Sequence, residues 1–246
     1  MNQTITRLWL AAAVLVLAGC ASSYVVPGPR ADLKAFGSAS IQESFAAQPS
    51  NPFPATLAFV RVQAPTYKSA RLPETLAGAA GGRYRVITTR ESEDDSQVDR
   101  LGRLPQVTGV TTLSRMLLPP DVNGDKDLRE AAARLHADLV LVYTFDTSIF
   151  DTDTSRPLTV VTLGLAATRK LAISTTASAL LLDTRTGYVY STYEATKRSD
   201  TLASSWNSSD SADQVRRDNE REAFGLLLGQ VEKTWPKLVE QSAHKS

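Results

Sequence analysis

Residues 125–145, DKDLREAAARLHADLVLVYTF, decide the fold. The first part is written at helical spacing. Leu128, Ala131, Ala132 and Leu135 fall on one face, and Asp125, Asp127 and Glu130 lie near the start, where negative charge favours a helix. The spacing predicts a helix over 125–137. The pattern then changes without a break. Asp138 to Phe145 is apolar at almost every position, as in a strand covered on both faces. A helix running straight into a buried strand is the joint of an α/β sandwich, with that strand at the centre of its sheet.

Working outward toward the C-terminus, Lys170 to Asp183 and Tyr188 to Arg198 read as an antiparallel hairpin. Thr184-Arg185-Thr186-Gly187 joins them, and Gly187 supplies the positive φ that such a connection needs. Ser199 to Ser211 is serine-rich and reads as a mobile link. Asp213 to Glu240 is a long helix interrupted near Pro236, with Val215, Phe224, Leu227, Leu228, Val231 and Trp235 as its buried stripe. Gly225 and Gly229 suit close packing against another helix within the molecule. Toward the N-terminus, Ala55 to Val62 (ATLAFVRV) is the first strand, ended by Pro65. A short helix over Leu72 to Ala80 and a strand over Tyr84 to Thr89 follow. A helix continues to Leu101, and a strand spans Gly109 to Leu118, closed by Pro119-Pro120. The fold class is therefore α/β: a single domain, a mixed sheet packed with helices, a late antiparallel hairpin and a long C-terminal helix.

The N-terminus has a different character. Arg7 precedes the apolar run Leu8 to Ala18, which is too short to span a bilayer and has the layout of a secretory signal peptide. Leu17-Ala18-Gly19-Cys20 holds the chain's single cysteine and resembles the lipobox of bacterial lipoproteins. That resemblance implies cleavage before Cys20, which then receives a diacylglyceryl thioether and an N-acyl chain. Several acyl chains anchor far more firmly than one. The alternative is an ordinary signal peptide with an incidental cysteine, which would place a lone thiol in an oxidising compartment. The expected division is a signal peptide over 1–19, a lipidated Cys20 with a tether rich in Ala, Ser and Pro over 20–54, the domain over 55–240, and a disordered tail over 241–246. By resemblance to the sorting rule of enteric bacteria, Ala21 after the cysteine implies an outer-membrane destination, facing the periplasm.

With Arg7 removed in the leader, 26 basic side chains face 26 acidic ones. That balance gives no support for capture of nucleic acid. Chemistry is sparse. Of the two histidines, His244 is in the tail and His136 lies at the end of a helix, where a structural or solvent-facing role is favoured over catalysis. No G-x-S-x-G or H-E-x-x-H pattern occurs. Gly164 to Lys170 lacks the second glycine of a phosphate loop, Arg169 standing in its place. Asp121, Asn123, Asp125 and Asp127 alternate as calcium ligands do, but Gly124 and Ala132 break the EF-hand register. The simpler reading is a turn at Asn123-Gly124 with Asp125 capping the next helix. Asp151 and Asp153 read as a solvated loop. Leu158 to Ala167 (LTVVTLGLAA) reads as a short helix under the sheet; the alternatives are a dip into the lipid interface or a patch for a partner. No catalytic residue, metal site or cofactor is expected.

Three segments carry a family resemblance: REAAARLHA at 129–137, DLVLVYTFDT at 138–147 and TASALLLDTRTGYVYSTYEAT at 176–196. They resemble the periplasmic α/β domain of the curli-secretion channel lipoproteins and the penicillin-binding-protein activator lipoproteins. They also resemble the amino-terminal domain of TolB. The hairpin marked by Asp183, Thr186 and Gly187 is similar to that of the rhombotarget lipoproteins, without the Gly-Gly sorting tail. The resemblance covers roughly Ala55 to Arg198 and implies a non-catalytic docking domain.

The expected function is a protein-binding adaptor or regulator of an envelope assembly. Its partners would be the bilayer, through acylated Cys20, and another envelope protein or a second copy of itself. The alternative is an oligomeric component of a secretion pore. Ser148 to Arg169, its best membrane-inserting candidate, contains Asp151, Asp153, Arg156, Pro157 and Gly164 and would make a poor lipid-facing hairpin.

Overall fold

Strand β1 (Ala55–Gln63) organises the molecule because three strands pair with it. It runs parallel to β3 (Val107–Thr112) and β4 (Leu139–Thr152), and antiparallel to the short β2 (Arg85–Ile87). From β4 the sheet continues as an antiparallel meander through β5 (Lys170–Asp183) and β6 (Val189–Leu202), giving a mixed sheet of six strands. The computed structural model describes residues 28–36, 41–50, 52–67, 82–152, 170–202 and 209–243. The expectations for 1–27 (Cys20 and Leu17-Ala18-Gly19 included), for the helix at 72–80, for Asp153 and for the run 158–167 lie outside the described residues. So does His244.

Four α-helices are described: α1 (Ile41–Ala46), α2 (Asp95–Gly102), α3 (Asp125–Arg134) and α4 (Ser209–Ala243). Period-2 alternation in the inner strands feeds two cores. Leu57, Phe59, Leu139, Leu141, Tyr143 and Phe145 meet Leu101 of α2 and Phe224, Leu227, Leu228, Val231 and Trp235 of α4. Ala58, Val60, Val62, Val140, Val142 and Leu182 point the other way, onto Leu128, Ala131 and Ala132 of α3. With both faces of β1 and β4 covered, both strands read as apolar runs. Each fully buried leucine contributes about 2 kcal/mol of transfer energy.

Several boundaries move, for identifiable reasons. The strand expected over Gly109 to Leu118 stops at Thr112. From Arg61 onward the edge of β1 is taken by β2, so among the described residues β3 has no strand partner beyond its pairing of Thr112 with Phe59. Ser114 then accepts a hydrogen bond from the Met116 N–H and caps a 3₁₀ turn over Arg115–Leu117. Helix α3 begins one residue earlier than a cap at Asp125 requires. The N-cap is Gly124, Asp125 lies in the first turn against Arg129 at 2.8 Å, and Asp127 accepts from the Asn123 N–H at 2.7 Å. It ends at Arg134 because His136 turns left-handed (φ 55°). The Ala137 and His136 N–H groups reach back to the Ala132 and Ala133 carbonyls, each at 3.0 Å, in a Schellman arrangement. Helix α4 runs unbroken through Pro236, where an interruption was expected, and on to Ala243, past the expected limit at 240. One missing N–H costs a bond, but fully buried Trp235 and half-buried Leu238 and Val239 hold the helix on both sides of it.

Part of the expected tether is seated on the domain. Arg30 bridges Gln63, and the Ala31 N–H donates to Thr144 Oγ1 at 3.0 Å. Phe36 packs edge-on against Tyr84 with ring centroids 4.9 Å apart, and Phe53 does the same to Trp235 at 5.7 Å.

Candidate functional site

Two features stand out on either side of the sheet. The first is a charge cluster sealed beneath the N-terminal half of α4. On β1, Ala55, Leu57 and Phe59 line the face toward α4, and Arg61 is the next residue in that row. Helix α4 continues its own stripe upstream of Phe224 by steps of four, to Glu220 and Arg216. Arg61, Arg216 and Glu220 are each at most 1% exposed. Arg216 Nη1 donates to Glu220 Oε1 at 2.7 Å and Arg61 Nη2 to Glu220 Oε2 at 3.3 Å. Ser92 Oγ donates to the same Oε2 at 2.6 Å. Tyr67 Oη accepts from both arginines, at 2.9 and 3.3 Å. Asp213 and Glu91 hold Arg216 from its other side, and Asp213 also pairs with Arg217. Glu93 lies 3.8 Å from Arg61 Nη1 and accepts from Tyr143 Oη at 3.0 Å. The Arg61 guanidinium also sits over the Phe145 ring, 4.6 Å from its centroid.

Opposite charges govern the ionisation here. Burial alone would raise the Glu220 carboxyl, but Arg61 and Arg216 hold it below the usual glutamate range. Burial opposes the charge on both arginines, yet the facing carboxylates and Tyr67 carry each above the ordinary guanidinium value. Burial, then the Glu93 carboxylate, pushes the Tyr143 phenol well up. Arg61, Arg216 and Glu220 are therefore held charged, and Tyr143 neutral, at neutral pH. The cluster clamps β1, the segment 91–93 and α4 together and presents no reactive group to solvent.

The second feature is open. On the face of the meander away from α4, Thr144, Ser178, Thr192 and Glu194 floor a groove of about 600 Å³. Arg30, Asp32 and Lys34, from the seated N-terminal segment, wall it. The floor is polar because α3 covers this face only near Val140, Val142 and Leu182. At the end of the hairpin, Asp183 organises the turn. Its Oδ1 accepts from the Arg185 and Thr186 N–H groups at 2.9 and 3.1 Å, while Oδ2 accepts from Ser50 and Tyr190. Burial opposes that charge, but the Ser50 and backbone hydrogen bonds hold the carboxyl below the usual aspartate range. Gly187 is left-handed (φ 72°), with the Arg129 guanidinium against it.

The residues singled out from sequence scatter. His136 is exposed in the turn after α3, and Asp125 and Asp127 are used in that helix's first turn, Asp127 accepting from the Asn123 N–H. Among the described residues no group of three His, Cys, Asp or Glu side chains is placed to hold a metal ion, and no helix is long and apolar enough to cross a membrane. Gly225 and Gly229 of α4 do pack internally, against Gln97 and Arg100 of α2. The buried cluster escaped sequence reasoning although a signal existed. Arg61 interrupts an apolar strand, and Arg216 and Glu220 fall on the same helical stripe as Phe224.

No protein-family model matches the chain, and no curated protein matches it. Among solved structures it is similar to the hypothetical protein CT253 from Chlamydia trachomatis, at 12% identity over 74% of this chain and 96% of that one. The TM-score of 0.28 is too low for that likeness to carry an argument.

Proposed function

We propose that the protein is a lipid-anchored, non-catalytic envelope lipoprotein that acts as a protein-binding adaptor or regulator at the periplasmic face of the outer membrane. The groove walled by residues 30–34 supports this most directly: polar side chains line an open surface for a partner segment, on the side of the sheet that α4 leaves bare. Leu17-Ala18-Gly19-Cys20 supplies the anchor in this reading. The test is Cys20→Ala, followed by labelled palmitate and by fractionation. The expected outcome is a folded chain without label, found in the soluble periplasm and unable to function. A Cys20→Ala chain that stays in the membrane fraction, or keeps full activity when soluble, overturns the reading.

The pore-component alternative draws on one observation. Pairing of β4 with β5 is continuous as far as Thr152 and Lys170, where the chain enters the segment holding the apolar run 158–167. Native mass in mild detergent separates the two readings, since a pore requires a ring-sized assembly.

A further inference from the structure

Strand β6 is an edge of the sheet among the described residues, 14 residues long and paired on one side only, with β5. Such an edge carries a row of unpaired backbone groups and templates another strand unless something blocks it. Charged side chains are a common block, and β6 carries Glu194, Lys197, Arg198 and Asp200. Their order, however, is self-complementary. On the face away from α4 the exposed residues are Thr192, Glu194, Thr196, Arg198 and Asp200.

We infer that β6 pairs antiparallel with β6 of a second copy of this chain, about a two-fold axis at Thr196. Directly opposed residues of an antiparallel pair share a face, so a two-fold axis through a continuous sheet must pass at a residue. An axis at Glu194 or Arg198 sets that charge against itself, and an axis at Lys197 sets Glu194 against Asp200. An axis at Ala195 makes no charge pair. The axis at Thr196 sets Glu194 opposite Arg198 twice, with Thr192 opposite Asp200, and overlaps nearly the whole strand. An axis at Ser199 pairs Arg198 with Asp200 but overlaps only the second half of the strand.

Helix α4 favours Thr196 independently. It runs antiparallel to β6, with Glu222 paired to Lys197 and Gln230 Nε2 donating to the Glu194 carbonyl at 2.7 Å. Leu226 lies one helical turn from each on the same side, and so beside the middle of the edge. It is 52% exposed, among the few large apolar side chains left so. An axis at Thr196 brings Leu226 of each copy beside the junction, where the partner strand covers it. The Gln230 contact does not close the edge, since a carbonyl accepts two hydrogen bonds. The contact surface shares Thr192 and Glu194 with the groove floor but does not include Cys20, so the inference stands apart from the anchoring reading.

Charge exchange in the full chain tests it by sedimentation in mild detergent. The unaltered chain is expected to be a dimer at tens of micromolar. Glu194→Arg and Arg198→Glu are both at exposed positions, and each alone is expected to weaken the dimer about tenfold or more by opposing like charges. Mixing the two variant chains is expected to restore it. A monomeric unaltered chain, or a dimer indifferent to Glu194→Arg, overturns the inference. A second readout is Thr196→Cys in a Cys20→Ser chain, expected to form a disulfide-linked dimer on mild oxidation. Failure to cross-link while Cys substitution at Ser199 succeeds would move the axis and refute the register. Loss of membrane association in Cys20→Ala bears on the anchor and leaves these outcomes unaltered.

Discussion

Glu220 shows how far one buried carboxylate can organise a fold. It receives hydrogen bonds from Arg216, Arg61 and Ser92 in a site closed to solvent. Glu220→Gln keeps the shape and removes the charge that two arginines face, and is expected to cost about 3 kcal/mol in urea unfolding. The sign with pH follows from its lowered pKa. The stabilisation is complete above the unfolded glutamate value of about 4.3 and is lost as pH falls through the folded value. The Gln variant should therefore lose less stability than the parent on acidification below about pH 4. A parallel loss in both chains would show that the carboxylate carries none of the acid sensitivity. Arg61 was legible as an anomaly in ATLAFVRVQ, since a guanidinium in a doubly covered strand requires counter-charges. Its partners were hidden because the RRDNERE run of α4 has the composition of a solvated surface. Periodicity, not composition, separates the two cases here.

Among elements, the long antiparallel hairpin and the two inner strands were readable because alternation and apolar runs are local signals. Ends were less so, because they depend on which neighbour takes an edge or a cap. The close of α3 is the clearest case. Nothing in LHAD announces a stop, yet His136 takes the left-handed position that glycine occupies with least strain. His136→Gly, at an exposed site, is expected to raise stability by about 1 kcal/mol. Unchanged or lowered thermal stability would show that the imidazole contributes something beyond its backbone. Gly187 is the converse. Its positive φ strains any branched side chain, and the Arg129 guanidinium, 3.1 Å from where a Cβ would stand, would have to shift. Gly187→Val is expected to cost about 2 kcal/mol, and a midpoint in denaturant equal to the parent's would contradict that geometry. Pro236 was read as a break because proline is a local signal for one. The packing of Trp235 that overrides it comes from Phe53 and Pro105, far off in sequence.

At the scale of the whole molecule, the class was written in the order of the elements, and the layering follows from it: α2 and α4 on one side, α3 and residues 30–36 on the other. What the order did not reveal was that the N-terminal segment belongs to the layers at all, since a run rich in proline and alanine has no period to read. That docking has a mechanical meaning under the anchoring proposed above. Between Cys20 and the point where Arg30 grips the sheet lie about ten residues, which span at most about 35 Å when drawn straight. The leash is short. Under that proposal, a domain on 34 residues of free chain would sweep deep into the periplasm, whereas this one would patrol a shallow layer against the lipid headgroups, and whatever it meets would have to come to the membrane.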